Sequence, residues 1–375
     1  MRIYLDHNAT APLRPAARDA MLELLGPPAN PSSAHREGAR ARAALETARA
    51  EVAALVGAAP AEIVFTSGAT EANNLALRGV LARGQGLVTT AIEHSSVLET
   101  ARALAGEGVT LSVGTVDGEG RTDPAAVIAA CGPGTRLVSV GLANGEIGAV
   151  APVAAIAAGL AGRGVLVHTD AAQAAGRLPI DVGALGVDLL SISAHKLGGP
   201  PGCGALFVRR GVTLRPLATG GPQERGRRPG TENVAAAVGF GVAARLARAE
   251  AEAATESLVD RLWQGIRSGI AGAVRNGPGT GPRLPNTLNV SFVGCRGESL
   301  LVLLDLAGVA VSLGSACAAG STEPSHVLIA MGRGREAARD GVRLSLGPTT
   351  TAAEVDRALD LFPGLVAQVR AGAAA

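Results

Sequence analysis

Lysine is almost absent from this chain of 375 residues: of its 34 Lys and Arg, all but Lys196 are arginine. Arginine can carry the same charge, but its delocalised guanidinium stays protonated and cannot serve as an amine nucleophile. Side-chain amine chemistry is therefore confined to one position. Aromatic residues make up 2% of the chain, which leaves few surfaces for nucleic-acid bases to stack on. The net charge of +2 is close to balance, and Arg225, Arg227 and Arg228 form the only tight basic cluster. Nucleic acid is thus not expected as a direct partner. No apolar run reaches the 18 residues of a membrane span, and the start Met1-Arg2-Ile3-Tyr4 lacks the apolar stretch of a signal peptide. A cytoplasmic location without membrane contact is expected. The four cysteines, Cys131, Cys203, Cys295 and Cys317, show neither CxxC nor histidine at zinc-ligand spacing, so no disulfide frame or metal site is indicated.

What is present is a chain with 47% hydrophobic residues, enough for one large core or two. Between about residues 60 and 210, short β-branched runs alternate with Ala-rich stretches. The runs are 63–66, 87–92, 109–113, 137–142, 165–169, 189–193 and 205–208. Such alternation predicts an α/β fold with a mostly parallel seven-stranded sheet flanked by helices. Long helices are expected over 38–56 and 234–259, and a surface arm between Gly211 and Gly230. After Trp263 the pattern changes to strands at 287–292, 309–312 and 342–346, with helices at 297–306, 324–331 and 352–369. This predicts a smaller α+β domain. The expected division is 14–258 for the large domain, and 1–13 with 259–375 for the small one.

Four motifs fall where strands hand over to loops, the edge at which α/β enzymes carry out chemistry. Thr66-Ser67-Gly68-Ala69-Thr70-Glu71-Ala72-Asn73 opens a helix and suits either an anion such as phosphate or an ordinary helix cap. His168-Thr169-Asp170-Ala171-Ala172-Gln173 places a carboxylate 26 residues before Lys196, although Asp170 and Gln173 also read as a capping pair. Glu93-His94 and Asn144-Gly145-Glu146 end two further strands. Lys196 itself lies in Ser193-Ala194-His195-Lys196, before glycines and prolines. An arginine-biased coding sequence also leaves a lone lysine, so the neighbours decide. A carboxylate for a pyridinium nitrogen and a lysine amine are the two protein groups that pyridoxal phosphate requires. Cys317, in the small-residue run Ser312 to Ser321, is the thiol that nothing bulky shields.

Taken together with Tyr4 to Thr10, Asn30 to His35, Arg228-Pro229-Gly230-Thr231, Gly314-Ser315-Ala316-Cys317 and Arg343 to Gly347, these motifs follow the order found in cysteine desulfurases of the NifS/IscS type, which the chain resembles from about Ile3 to Leu359. The resemblance implies an aspartate aminotransferase-like fold and a homodimer with a shared active site. It implies pyridoxal 5'-phosphate as cofactor, L-cysteine as substrate, and a sulfur-acceptor protein, such as an iron-sulfur scaffold or sulfur carrier, as partner. By the same resemblance Lys196 would hold the cofactor and move the substrate's Cα proton, Asp170 would face the ring nitrogen, His94 would stack on the ring, and Gln173 would contact the ring hydroxyl. Ala69, Thr70, Ser193 and His195 would bind the phosphate, with Thr231 reaching in from the other subunit. Arg343 and Asn30 would take the substrate carboxylate, and Cys317 would receive the sulfur as a persulfide. The second asparagine usual before Glu146 is Gly145 here, with Asn144 the remaining candidate contact. Other readings are a related lyase or aminotransferase, for instance one acting on selenocysteine, and a cofactor-binding paralogue without turnover.

Overall fold

A computed structural model describes residues 2–28, 30–250, 253–313 and 323–373. Its strands are β1 (Ile3–Tyr4), β2 (Ile63–Thr66), β3 (Gly86–Thr90), β4 (Thr110–Gly114), β5 (Thr135–Ser139), β6 (Leu166–Asp170), β7 (Leu189–Ser193), β8 (Gly204–Val208), β9 (Ala273–Asn276), β10 (Thr287–Phe292), β11 (Val309–Ala310), β12 (Ser312–Leu313) and β13 (Gly341–Ser345). The expected seven-stranded sheet is present, in the order β2-β8-β7-β6-β5-β3-β4. Only β8 runs antiparallel, to both its neighbours. Every residue of β2, β3, β7 and β8 is buried, as continuous apolar runs in a sheet covered on both faces should be.

Because the other six strands are parallel, their carboxyl ends lie along one edge, and the loops leaving that edge share a crevice. Two glycines shape it. Gly68, with φ 155° and ψ 178°, occupies backbone space that is essentially reserved for glycine. Across from it, a Cβ on Gly204 would stand 2.6 Å from the Gly68 Cα. The pair lets the loop after β2 lie directly on the start of β8 before helix Ala69–Val80 begins.

The smaller sheet has the order β12-β13-β10-β9 and is antiparallel throughout. Its hydrophobic cluster gathers Ile3 and Leu5 with buried side chains from Val259 to Val369, whereas the largest cluster runs from Leu45 to Leu284. The limits of 14–258, and 1–13 with 259–375, remain a proposal: Leu284 packs in the larger cluster, and a further cluster joins Ile92 and Ile147 to Val327 and Leu328.

Three expectations need correction, and one strand was not foreseen. The helix foreseen over 234–259 is two, Val234–Ala249 and Ala253–Gly269. Glu250 turns extended at φ −84° and ψ 143°, and its carboxylate is held by Arg14. The strand foreseen over 309–312 splits. β11 pairs with β1, and β12 pairs with β13 in the other sheet. The edge strand β9 carries no alternation that would announce it, with Ala273-Val274-Arg275-Asn276 only partly buried. Finally, the arm after Gly211 is mostly exposed but not free of the core: Glu224 is buried, its carboxylate gripped by Arg49 through two bonds of 2.7 Å.

Candidate active site

The ends of β2, β3, β5, β6 and β7 converge on one cavity of about 810 Å³. At its floor, Asp170 ends β6. One carboxylate oxygen accepts from the Ala172 amide (2.9 Å), and the other from Asn73 Nδ2 (2.7 Å). Asn73 also donates to Ser96 Oγ (2.8 Å), and the Ser96 hydroxyl lies 2.7 Å from His94 Nδ1. Since the Ser96 amide also donates to Nδ1 (3.1 Å), that nitrogen is the acceptor, and the proton of the neutral ring resides on Nε2. A single buried relay thus sets both the carboxylate and the imidazole.

Lys196 follows β7 in a short 3-10 turn, Ala194–Leu197. Its ammonium donates to the carbonyls of Asn8 and Ala9, the latter at 3.0 Å. The N-terminal segment therefore provides a perch for the amine inside the cavity. Next to it, burial pushes His195 down to about 4, aided by the charges of Lys196 and Arg177, so this ring is neutral at physiological pH.

The start of the 12-residue helix Ala69–Val80 opens into the same space, with Ser67, Gly68, Ala69, Thr70, Ser193 and His195 around it. An acidic residue in the first turn ought to repel an anion there. Glu71, however, accepts from Ser67 N (2.7 Å) and is paired with Arg228 (2.9 Å). Partial burial pushes its carboxyl up, but those bonds prevail and hold it below the usual range. The helix end is left with its amides and dipole available to an incoming anion. Arg343 also lines the cavity, and its guanidinium is buried. It donates to Asp6 (2.6 Å) and to the Gly145 carbonyl (3.3 Å).

The chain matches the aminotransferase class-V family over residues 3–358. It belongs to that family. A curated cysteine desulfurase of Cereibacter sphaeroides is 47% identical over 376 residues, covering 99% of this chain and 97% of that protein. Among solved structures, a NifS-like protein superposes with a TM-score of 0.91 at 37% identity, covering 98% of this chain and all of that one. A structure titled SspA in complex with cysteine matches with a TM-score of 0.83 at 35% identity, over 93% of this chain and all of the other.

In this class-V chain the cavity wall includes Ala69, Thr70, His94, Asn144, Asp170, Gln173, Ser193, His195, Lys196 and Arg343. The donor set fits pyridoxal phosphate: an anion cradle at a helix start, a fixed carboxylate, an imidazole and one amine share a single space. Two expected residues are elsewhere. Asn30 is exposed, and its side chain caps its own turn by accepting from Ser32 N (2.9 Å), so it does not face the cavity. Thr231 is also exposed and off this chain's own cavity. Cys317 lies outside the described residues.

Asn144 reaches the wall, but its amide serves the turn: Nδ2 donates to Ile92 O (2.8 Å), and Oδ1 accepts from the amides of Glu146 and Ile147. Gly145 has a physical reason. A Cβ there would sit 2.6 Å from Gln173 Nε2 and 2.7 Å from its Cγ. Gln173 cannot easily yield, because it is tied to Asn8 O (3.0 Å) and Arg177. Sequence reasoning assigned no role to Asn73, Asn8 or Glu146. Asn73 stands one helical turn beyond Ala69 and so shares its face, which was the available signal. Asn8 is joined to the site only by folding, through Gly145 O, Thr287 and Asn286.

Proposed function

We propose that this chain is a pyridoxal-phosphate-dependent cysteine desulfurase, converting L-cysteine to L-alanine while the sulfur passes to Cys317 as a persulfide. The observation that carries it is the meeting, in one cavity, of the only side-chain amine with the Asn73-held carboxylate of Asp170 and the helix start at Ala69. When bound, the cofactor supplies an aldehyde that condenses with amines and a ring that takes up an electron pair from the substrate's Cα.

The chain's own residues do the rest. Ala69, Thr70, Ser193 and His195 bind the phosphate. Asp170 faces the ring nitrogen, and His94 lies against the ring. Gln173 has one amide hydrogen left for the ring hydroxyl. Lys196 holds the cofactor and, once displaced by the substrate, takes the Cα proton from its perch. Arg343 binds the substrate carboxylate as a planar fork. Cys317 then attacks the substrate's sulfur: the S–S bond forms as the Cβ–S bond breaks, its electron pair remaining with carbon. The balance is cysteine plus enzyme thiol to alanine plus enzyme persulfide. Two copies of the chain form the working unit, with Thr231 of each serving the other's phosphate site, and a cytoplasmic sulfur-acceptor protein discharges the persulfide.

The test is the visible spectrum of purified protein with pyridoxal phosphate, before and after L-cysteine, wild type beside Lys196→Ala. Wild type should be coloured, respond to cysteine and release alanine. After borohydride reduction the label should map to Lys196. A wild type that neither binds the cofactor nor forms alanine overturns the reading.

A further inference from the structure

The arm after Gly211 is fastened on both sides of the loop that opens helix Ala69–Val80. On one side, Glu224 accepts from the Phe65 amide of β2 (2.9 Å). On the other, Arg228 meets Glu71 as a fork, Nε to Oε1 at 2.9 Å and Nη2 to Oε2 at 3.4 Å, with both side chains partly buried. Residues 66–70, between the two fastenings, hold the loop and the start of the helix. Backbone strain accompanies this grip. Glu224 and Arg225 are the non-glycine residues with positive φ among the described residues. They stand at φ/ψ of 49°/38° and 59°/37° and are followed by Gly226 at φ 74°, which makes three left-handed residues in succession. Residues with a Cβ take up such a run only at a cost, and it persists where surrounding contacts over-determine it. Here those contacts are the buried pair of Arg49 with Glu224 and the Gly230 amide, which closes back on Gln223 Oε1 (3.0 Å).

Glu71 explains what the grip is for. Its Oε2 accepts from the Ser67 amide (2.7 Å) and so fixes the loop. A carboxylate in the first turn of a helix, however, occupies the positive end of the dipole that an incoming anion needs, and its uncompensated charge opposes a phosphate. The Arg228 fork cancels that charge and leaves the Ser67 bond in place. On the desulfurase reading, on which this inference rests, the anion is the cofactor's phosphate. We propose that Arg228 is a positioning residue for that phosphate: held on Glu71 by the strained turn, it neutralises the carboxylate, so that the site takes the phosphorylated cofactor only while the arm is docked. Undocking the arm uncovers the Glu71 charge and weakens the hold on phosphate, which ties cofactor retention to a segment that is otherwise mostly exposed.

The experiment titrates the full chain, freed of cofactor, with pyridoxal phosphate and with pyridoxal. Both aldehydes condense with the Lys196 amine, releasing water, and absorbance follows each; the two ligands differ only in the phosphate. Arg228→Met should raise the dissociation constant for pyridoxal phosphate about tenfold, the effect of one uncompensated charge several ångströms from an anion, and that for pyridoxal less than about twofold. Glu71→Gln, which removes the charge at its source, should hold pyridoxal phosphate at least as tightly as wild type. The double variant should return to within about threefold of wild type, because no charge is then left unpaired. An Arg228→Met protein that binds pyridoxal phosphate as wild type does, or that loses both aldehydes in proportion, overturns the proposal; the second result is the signature of a bracing role alone. So does a Glu71→Gln protein whose hold on pyridoxal phosphate weakens tenfold, and that measurement needs no substitution at residue 228. If instead the desulfurase reading is wrong, wild type condenses with neither aldehyde, a result distinct from all of these.

Discussion

Removing the carboxylate of Glu224 should destabilise the protein by about 3–5 kcal/mol, the cost of breaking a buried ion pair from one side. The figure rests on what would be left behind. Arg49 is 3% exposed and Glu224 5%. Glu224 accepts from Nη1 and Nη2 of Arg49 at 2.7 Å each and from the Phe65 amide at 2.9 Å. Glu224→Ala would strand a guanidinium whose remaining partners are Ile63 O, Glu46 and the face of Phe65, 4.8 Å from the ring centre, and would orphan an amide within β2. Replacing both partners by apolar residues of similar volume, Arg49→Met with Glu224→Leu, should cost far less, because no charge is then buried unpaired. Urea denaturation of the two single variants and the double variant gives the coupling energy directly. The arm that Glu224 anchors also carries Arg228 and Thr231, so Glu224→Ala should show faster proteolysis between 211 and 230 at urea concentrations where the fold persists. A single variant that loses less than about 1 kcal/mol, or a double variant as unstable as the worse single, would refute the reasoning.

Two further outcomes follow from the cavity. Gly145→Asn should weaken cofactor retention and cost about 1–3 kcal/mol by overpacking against Gln173, and a second substitution, Gln173→Ala, should recover part of the stability loss; both are read by melting with and without pyridoxal phosphate. Glu93, buried at the end of β3, is pushed up to about 7 by burial, against the bonds from Thr90 and Gly141 that pull it down. Its folded value lies above its unfolded one, so the folded state holds the extra proton, and stability must fall as pH rises from about 4.5 to 7. Glu93→Gln should therefore gain on wild type between pH 5 and pH 8, by at most about 3 kcal/mol, measured as the difference in unfolding free energy at the two pH values.

Much of the architecture was legible because it is written in local patterns. The runs at 63–66, 189–193 and 205–208 are short, apolar and β-branched, and they became buried strands almost residue for residue. Elements lacking such a signature were missed or merged. Ala273–Asn276 is a strand because β10 offers it an edge. Val309–Leu313 reads as one run, but its two halves pair with different sheets.

The sequence by itself determined where chemistry could occur. A single lysine, a helix-opening run of small hydroxyl residues and an aspartate at a strand end are identities that no packing can alter. Only the tertiary structure decided how those groups are held, because the holding residues are remote in sequence: Asn73 braces Asp170 across 97 positions, Asn8 and Ala9 receive the Lys196 ammonium across nearly twice that, and Asp6 meets Arg343 across 337. Hydrogen bonds of this kind depend on backbone carbonyls and on ångström-scale separations, and neither leaves a periodic trace along a chain.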